Sequence, residues 1–329
     1  MKLKKEYLIL AAIIVALSLY LFLHKTDRAH YELPTLLPLS KAEISKIEIT
    51  RKGTPIVLNK KNGSWSIGPE GYPANNDKIM NILSIIENLT LTAMVSESKD
   101  YSRYELDDEH KVNVKAYIGK ALKREFEIGK TAPSYRHTFV RLQGDDLVYH
   151  ARENFRNRFE VAVADLRDKQ VLVFDKTEIK EIRLSKNGRS TVCALSKTSV
   201  TTGQEPAANA KPAPKQMPVW ENPQGKTCDE KKLNRLLVTL SNLRCEKYIE
   251  NKKKEDFTDP ICSIELKGTQ NYSLAIFAKA DDEKGYPAIT SSNKYPFLLP
   301  EGIVQSIIKA PEEMLGKTET KAKENQENL

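Results

Sequence analysis

The chain reads as an α+β protein with an N-terminal transmembrane helix followed by two tandem β-β-α-β-β-β repeats, which form antiparallel sheets packed with helices. Three observations carry this reading. Tyr7 to Leu23 contain no charged side chain. The alternating apolar positions Ile44, Ile47 and Ile49 return at constant spacing as Ile179, Ile182 and Leu184. A helix-period apolar face follows each, first as Ile79, Ile82, Leu83, Ile86 and Leu89, then as Leu233, Leu236, Leu237, Leu240 and Leu243.

Residues 1–24 are expected to form the anchor. The uncharged run "YLILAAIIVALSLYLFL" spans roughly 25 Å as a helix, at the short end of what a bilayer core requires. Lys2, Lys4 and Lys5 precede it, and Lys25 and Arg28 follow it. This places the N-terminus in the cytoplasm and the body in the periplasm or outside the cell, at the inner (plasma) membrane. A cleaved signal peptide is the competing reading, through Ala16-Leu17-Ser18. The apolar run continues past that triplet, which favours an uncleaved anchor. Residues 25–40, with Pro34 and Pro38, read as an extended stalk.

The first repeat covers residues 41–150. Its opening strands turn at Gly53, a hairpin signature, and Trp65 and the helix follow. The strands "KVNVKAYIG", "KREFEIG", "HTFVRLQ" and "DLVYHA" close it. Residues 151–178 join the halves as a short helix and a strand. The second repeat covers residues 179–309, with its turn at Gly188, its Trp at Trp220 and closing strands from "ICSIELKG" to "YPFLLP". Asp77 and Asp229 stand near the two helix starts, where a carboxylate can accept orphan backbone N–H groups. A Pro/Ala/Lys-rich flexible insertion at 197–218 accounts for the longer second copy, and 310–329 read as a disordered tail.

The 329 residues carry a formal charge of +8, with 40% hydrophobic and 29% charged residues. Lys and Glu are interleaved rather than gathered into a basic stripe, so no nucleic-acid partner is expected. No catalytic, cofactor-binding or metal-binding residue is assigned, and no cofactor is expected. Gly129-Lys130-Thr131 and Gly316-Lys317-Thr318 lack the earlier Gly of a phosphate loop, since Arg124 and Pro311 stand there. His24, His30, His110, His137 and His150 form no helical metal-ligand pair. His137, beside Tyr135, Arg136 and Arg141, is either an anion-binding groove edge or an ordinary solvated strand face, and the second is favoured. Asp107-Asp108, Asp145-Asp146 and Asp281-Asp282 fall in expected turns. Cys193, Cys228, Cys245 and Cys262 permit disulfides, but Cys193 and Cys245 align with Leu58 and Leu91 of the first copy. That favours unpaired core thiols.

Across "GSWSI", "PANNDKIMNILSIIENL", "YSRYELDD", "FEIGK", "DLVYHA" and "ADLRDKQVLVFD" the sequence resembles the domain-of-unknown-function family numbered 4340. Leu166-Arg167-Asp168-Lys169 is the most specific piece. The chain departs from the family at Glu105, where the family has Gly, and a side chain there disfavours a turn at positive φ. The resemblance implies a membrane-anchored protein, often encoded beside auxiliary ABC-type transport or gliding-motility components, with no catalytic residues to carry over. The expected function is therefore a non-enzymatic accessory or scaffold subunit of an envelope complex. Its expected partners are the membrane, through residues 7–23, and other envelope or transporter proteins. The alternative is an extracytoplasmic ligand-binding module using the groove between the repeats. A hydrolase of envelope polymers ranks last.

Overall fold

The computed structural model describes residues 5–23, 31–186, 188–199, 216–280 and 284–314. Two compact units emerge, Met1–Pro69 with Asp77–Val161, and Glu70–Asn76 with Ala162–Leu329. In chain order the first half forms helix α1 (Lys5–Leu23), strands β1 (Lys46–Arg51), β2 (Thr54–Lys61), β3 (Ser64–Ile67) and β4 (Tyr72–Pro73), and helix α2 (Asn76–Glu87). Strands β5 (Leu91–Ser96), β6 (Val112–Ile118), β7 (Ala121–Thr131), β8 (His137–Leu142) and β9 (Val148–Arg152) and the short helix α3 (Arg156–Phe159) follow.

One antiparallel sheet dominates the first unit, with strands in the order β3-β2-β1-β6-β7-β8-β9-β5. Period-2 alternation sets its inner face: Ile47, Ile49, Leu58, Val114, Phe126, Ile128 and Val140 are all buried. The β1–β2 turn needs positive φ at Lys52 and Gly53 (46° and 75°), the backbone of a tight hairpin. Helix α2 buries Ile79, Ile82, Leu83, Ile85 and Ile86. Arg124 of β7, itself buried, donates to the carbonyls of Ile86 and Glu87 at the end of that helix and to Leu37 O. A guanidinium there satisfies carbonyls that the last helical turn leaves orphaned. Residues 31–40 have no regular structure, yet Leu39 is buried and Lys41 N donates to Glu87 Oε1 (3.0 Å).

The second unit contains α4 (Val163–Leu166), β10 (Gln170–Val173), β11 (Glu181–Lys186), β12 (Arg189–Ser199), β13 (Gln216–Glu221) and α5 (Glu230–Ser241). After them come β14 (Asn242–Arg244), β15 (Lys247–Tyr248), β16 (Cys262–Lys267), β17 (Asn271–Ile276), β18 (Gly285–Thr290), β19 (Phe297–Pro300) and α6 (Glu301–Met314). Its eight-stranded sheet has the order β13-β12-β11-β16-β17-β18-β19-β15, and β10 pairs with β14 in a separate two-stranded ribbon. The order matches the first unit strand for strand. The register matches too: Ile47 faces Leu58 across β1–β2, and Ile182 faces Cys193 across β11–β12. Helix α5 begins at Asp229, whose side chain accepts from Lys232 N (3.2 Å). It buries Leu233, Leu236, Leu237 and Leu240 in a core shared with Val304, Ile307 and Met314 of α6.

Several expectations are corrected here. The body is mostly antiparallel sheet with few helices, not two β-β-α-β-β-β sandwiches, because each unit has more strands than that plan holds. β3 and β15 span four and two residues, too few to show an alternating pattern beside a helix. Pro311 lies inside α6 rather than ending the ordered chain. The transmembrane expectation over residues 7–23 is also overturned: among the described residues no helix is long and apolar enough to cross a membrane. The uncharged stretch of α1 falls short of a hydrocarbon core about 30 Å thick. Of the insertion expected at 197–218, residues 197–199 and 216–218 pair between β12 and β13, and 200–215 lie outside the described residues. Residues 315–329 of the expected tail lie outside them as well.

Candidate functional site

The motif Leu166-Arg167-Asp168-Lys169 begins at the last residue of α4 and organises one corner of the second unit. Leu166 is buried, and its carbonyl accepts from Asn75 N (2.7 Å), while Asp168 N donates to Pro73 O (2.8 Å). Arg167 lays its guanidinium 3.9 Å from the centre of the Tyr72 ring and donates to Glu250 Oε1 (2.8 Å). Tyr72 also stacks against Tyr295 (4.2 Å) and Tyr248 (5.3 Å). Tyr248 donates to Asp168 O (2.7 Å), and Cys245 N donates to Lys169 O (2.8 Å). Burial pushes the Tyr248 phenol upward, so it stays a neutral donor across the physiological range. Every residue of the motif thus holds backbone or aromatic rings in place. Its chemistry is that of a staple binding residues 70–76 to the second unit.

The outer face of the first unit's sheet carries a ladder of charge. Glu127 accepts from Arg141 Nε (2.6 Å) and meets Lys111 (2.9 Å), and Glu125 accepts from Asn113 (3.0 Å) and meets Lys115 (3.4 Å). Farther along, Glu48 meets Lys46 (2.5 Å) and accepts from Tyr117 (2.9 Å). Those partners hold the Glu48 carboxyl below its ordinary value, the Lys46 hydrogen bond most of all. Arg141 lies 4.1 Å from the centre of the Tyr101 ring. A hollow of about 300 Å³ opens beside Glu125, Glu127, Arg141, Asp145 and Asp146. Asp145 accepts from Tyr149 (2.6 Å) and Asp146 pairs with Lys99 (2.5 Å), so both carboxylates of this pair serve local structure. Asp107 binds His110 (2.7 Å) and Asp108 binds Lys111 (2.5 Å), again within a turn.

His137 sits on this same face, stacked on His150 (ring centres 5.2 Å apart, 24° between planes), with Phe139 4.8 Å from His150 and Tyr104 4.9 Å from Phe139. The anion-binding reading of His137 finds no support, since Arg141 is committed to Glu127. His150 Nε2 is buried without a hydrogen-bond partner. Burial, and secondarily the field of His137, lowers the His150 pKa below its usual 6.5. Folding therefore favours the neutral ring. This share of stability is fully present above about pH 6.5 and is lost as pH falls from there through the lower folded-state value. Urea midpoints measured from pH 7.5 to 5 should fall with acidification, and His150→Phe should flatten that fall.

Glu105 adopts φ +55°, so a turn at positive φ forms here with a side chain in the left-handed region. Its N–H donates to Ser102 O (3.1 Å), and Leu106 N donates to Tyr101 O (3.0 Å). The left-handed conformation costs a non-Gly residue about 1–2 kcal/mol, and Gly pays part of that back as chain entropy. Glu105→Gly relieves that strain but removes the partly exposed ion pair with Arg156 (3.4 Å), so stability should rise by at most about 0.5–1 kcal/mol in chemical denaturation.

Gly129-Lys130-Thr131 lies inside β7, not in a loop. A Cβ at Gly129 would collide with Tyr104 O and crowd Leu106, so this glycine serves close packing rather than phosphate. His24, His30, Asp281, Asp282 and Gly316-Lys317-Thr318 lie outside the described residues. Trp65 is buried, and Trp220 is partly buried against the second unit's core. Among the described residues no group of three His, Cys, Asp or Glu side chains could hold a metal ion.

Cys193 and Cys228 form a disulfide that ties β12 to the start of α5, while Cys245 and Cys262 are free and buried. The expectation of unpaired thiols holds for the second pair alone. Leu58 and Cys193 share a register position, but only the second unit has a cysteine at the foot of the following helix. Burial pushes the Cys245 and Cys262 thiols up to about 11, leaving little thiolate to react. At pH 8 an alkylating reagent should leave both unmodified in the folded protein and label both after denaturation.

These features describe a duplicated antiparallel-sheet protein whose most specific sequence motif is structural. The chain belongs to the family described as Domain of unknown function (DUF4340), whose model matches residues 65–260. No curated protein and no solved structure matches it.

Proposed function

We propose that the chain is a non-enzymatic accessory subunit of an envelope complex, acting outside the cytoplasm as a docking body. The observation that carries this reading is the edge strand of the first sheet. Among the described residues β5 ends that sheet, pairing with β9 through register shifts, whereas the β13 edge of the second is partly closed by Cys228 N donating to Trp220 O (2.8 Å) and by the Glu221–Thr227 bridge. An edge such as β5 presents backbone N–H and C=O groups that an extended partner segment can complete. The Cys193–Cys228 bond supports an oxidising compartment, since intracellular reductants keep most cytosolic thiols reduced. Family membership supports the reading only as far as an uncharacterised domain goes. Crosslinking in intact cells, followed by identification of the attached proteins, tests it. A reproducible envelope transport or motility subunit is expected. Repeated recovery of the unattached chain would overturn it.

A further inference from the structure

Helices α5 and α6 pack together in the second unit, and Asp229 N at the start of α5 donates to Met314 O at the end of α6 (2.9 Å). Between them lies a groove of about 360 Å³ lined by Lys232, Arg235 and Thr239 from α5 and by Gln305, Ser306 and Lys309 from α6. Three cations therefore face one groove, and no carboxylate lines it among the described residues. The acidic groups of α6 turn elsewhere: Glu301 pairs with Lys279 (3.4 Å) and Glu312 with Lys186 (3.0 Å). Other cations of this unit have acidic partners, as Lys267 has Glu181 (2.9 Å) and Arg167 has Glu250 (2.8 Å). Lys232, Arg235 and Lys309 have none among the described residues.

We propose that the α5–α6 groove docks an acidic segment of a partner protein, its carboxylates meeting Lys232, Arg235 and Lys309. This rests on the accessory-subunit reading and gives it a surface. Charge complementarity identifies the occupant. Two helices packed against each other offer a third element a seat, and cations spread along both walls match carboxylates spaced along a peptide. The hydroxyls of Thr239 and Ser306 already donate to Arg235 O (3.1 Å) and Ile303 O (2.7 Å), which leaves their oxygens as acceptors and the three cations as the recognition groups.

The test uses the full chain in intact cells, with a photoreactive amino acid placed at Ser306 in the groove and, separately, at Thr92 on β5. The crosslinked peptides are then sequenced. An acidic peptide attached at Ser306 is expected, with its yield falling about ten-fold in the K232E/R235E/K309E variant while adducts at Thr92 persist. Attachment of a neutral or basic peptide, attachment of lipid, or a yield unchanged by charge reversal would each overturn the groove assignment. Adducts at Thr92 but none at Ser306 would overturn the groove and leave the accessory reading standing; adducts at neither position would overturn both. Arg235 and Lys309 are exposed and Lys232 is half-buried, so thermal unfolding of the variant is measured alongside, and an unchanged transition shows that a lost adduct reports docking and not misfolding.

Discussion

Replacing Cys193 and Cys228 together by Ala is expected to lower the unfolding free energy of the second unit by about 3–4 kcal/mol. The magnitude follows from loop closure. The bond spans 35 positions of sequence, and removing it frees that loop in the unfolded chain. In the folded chain the same loop begins in β12, returns through β13 and ends at the residue before the Asp229 cap of α5. Cys228 N also donates to Trp220 O (2.8 Å), so the hydrogen-bond pattern at this corner survives the substitution and the lost term is the covalent one. Urea midpoints of the double variant against the oxidised parent measure it, and the parent with reductant should reproduce the shift. A change below about 1 kcal/mol would mean that the bond constrains nothing the fold does not already hold.

Arg124→Ala is expected to cost the first unit about 3–5 kcal/mol. The residue is 8% exposed, and its guanidinium reaches three carbonyls that no other donor serves among the described hydrogen bonds: Ile86, Glu87 and Leu37. Burial alone pulls its pKa below the usual guanidinium value. Truncation leaves buried acceptors unpaired and a void at the end of α2. Arg124→Lys should recover only part of the loss, because an ammonium cannot hold the forked geometry. Residues 37–41 should become more protease-sensitive in both variants, since Leu37 loses its donor.

How far these features could be read in advance depends on the range of the interactions behind them. The β1–β2 hairpin and the apolar faces of α2 and α5 are local: alternation, a turn glycine and a 3.6-residue period lie within a dozen residues of one another. β5 was illegible because "LTAMVS" shows no clean alternation, and its pairing with β9 shifts register twice. α6 was hidden by Pro311, which ordinarily ends a helix and here occupies its last turn. The roles of Arg124 and Arg167 depend on carbonyls and rings brought up by folding, so no spacing rule reveals them. In the sequence only the motif Leu166–Lys169 singles out Arg167. The equivalence of Cys193 to Leu58 predicts burial, which the fold bears out, and carries no information on what Cys228 brings within bonding distance. The groove between α5 and α6 could not be anticipated at all, because α6 itself was not.

The docking account needs the body to live in an oxidising compartment, and the redox state of its cysteines in the cell tests that requirement most directly. Cells are quenched in acid, the chain is denatured, and free thiols are coupled to a maleimide of large mass that shifts each modified species on a gel. The account predicts that only Cys245 and Cys262 are modified before reduction, and all four cysteines after it. Four modified cysteines without reductant would contradict the bond, the compartment and the function built on them.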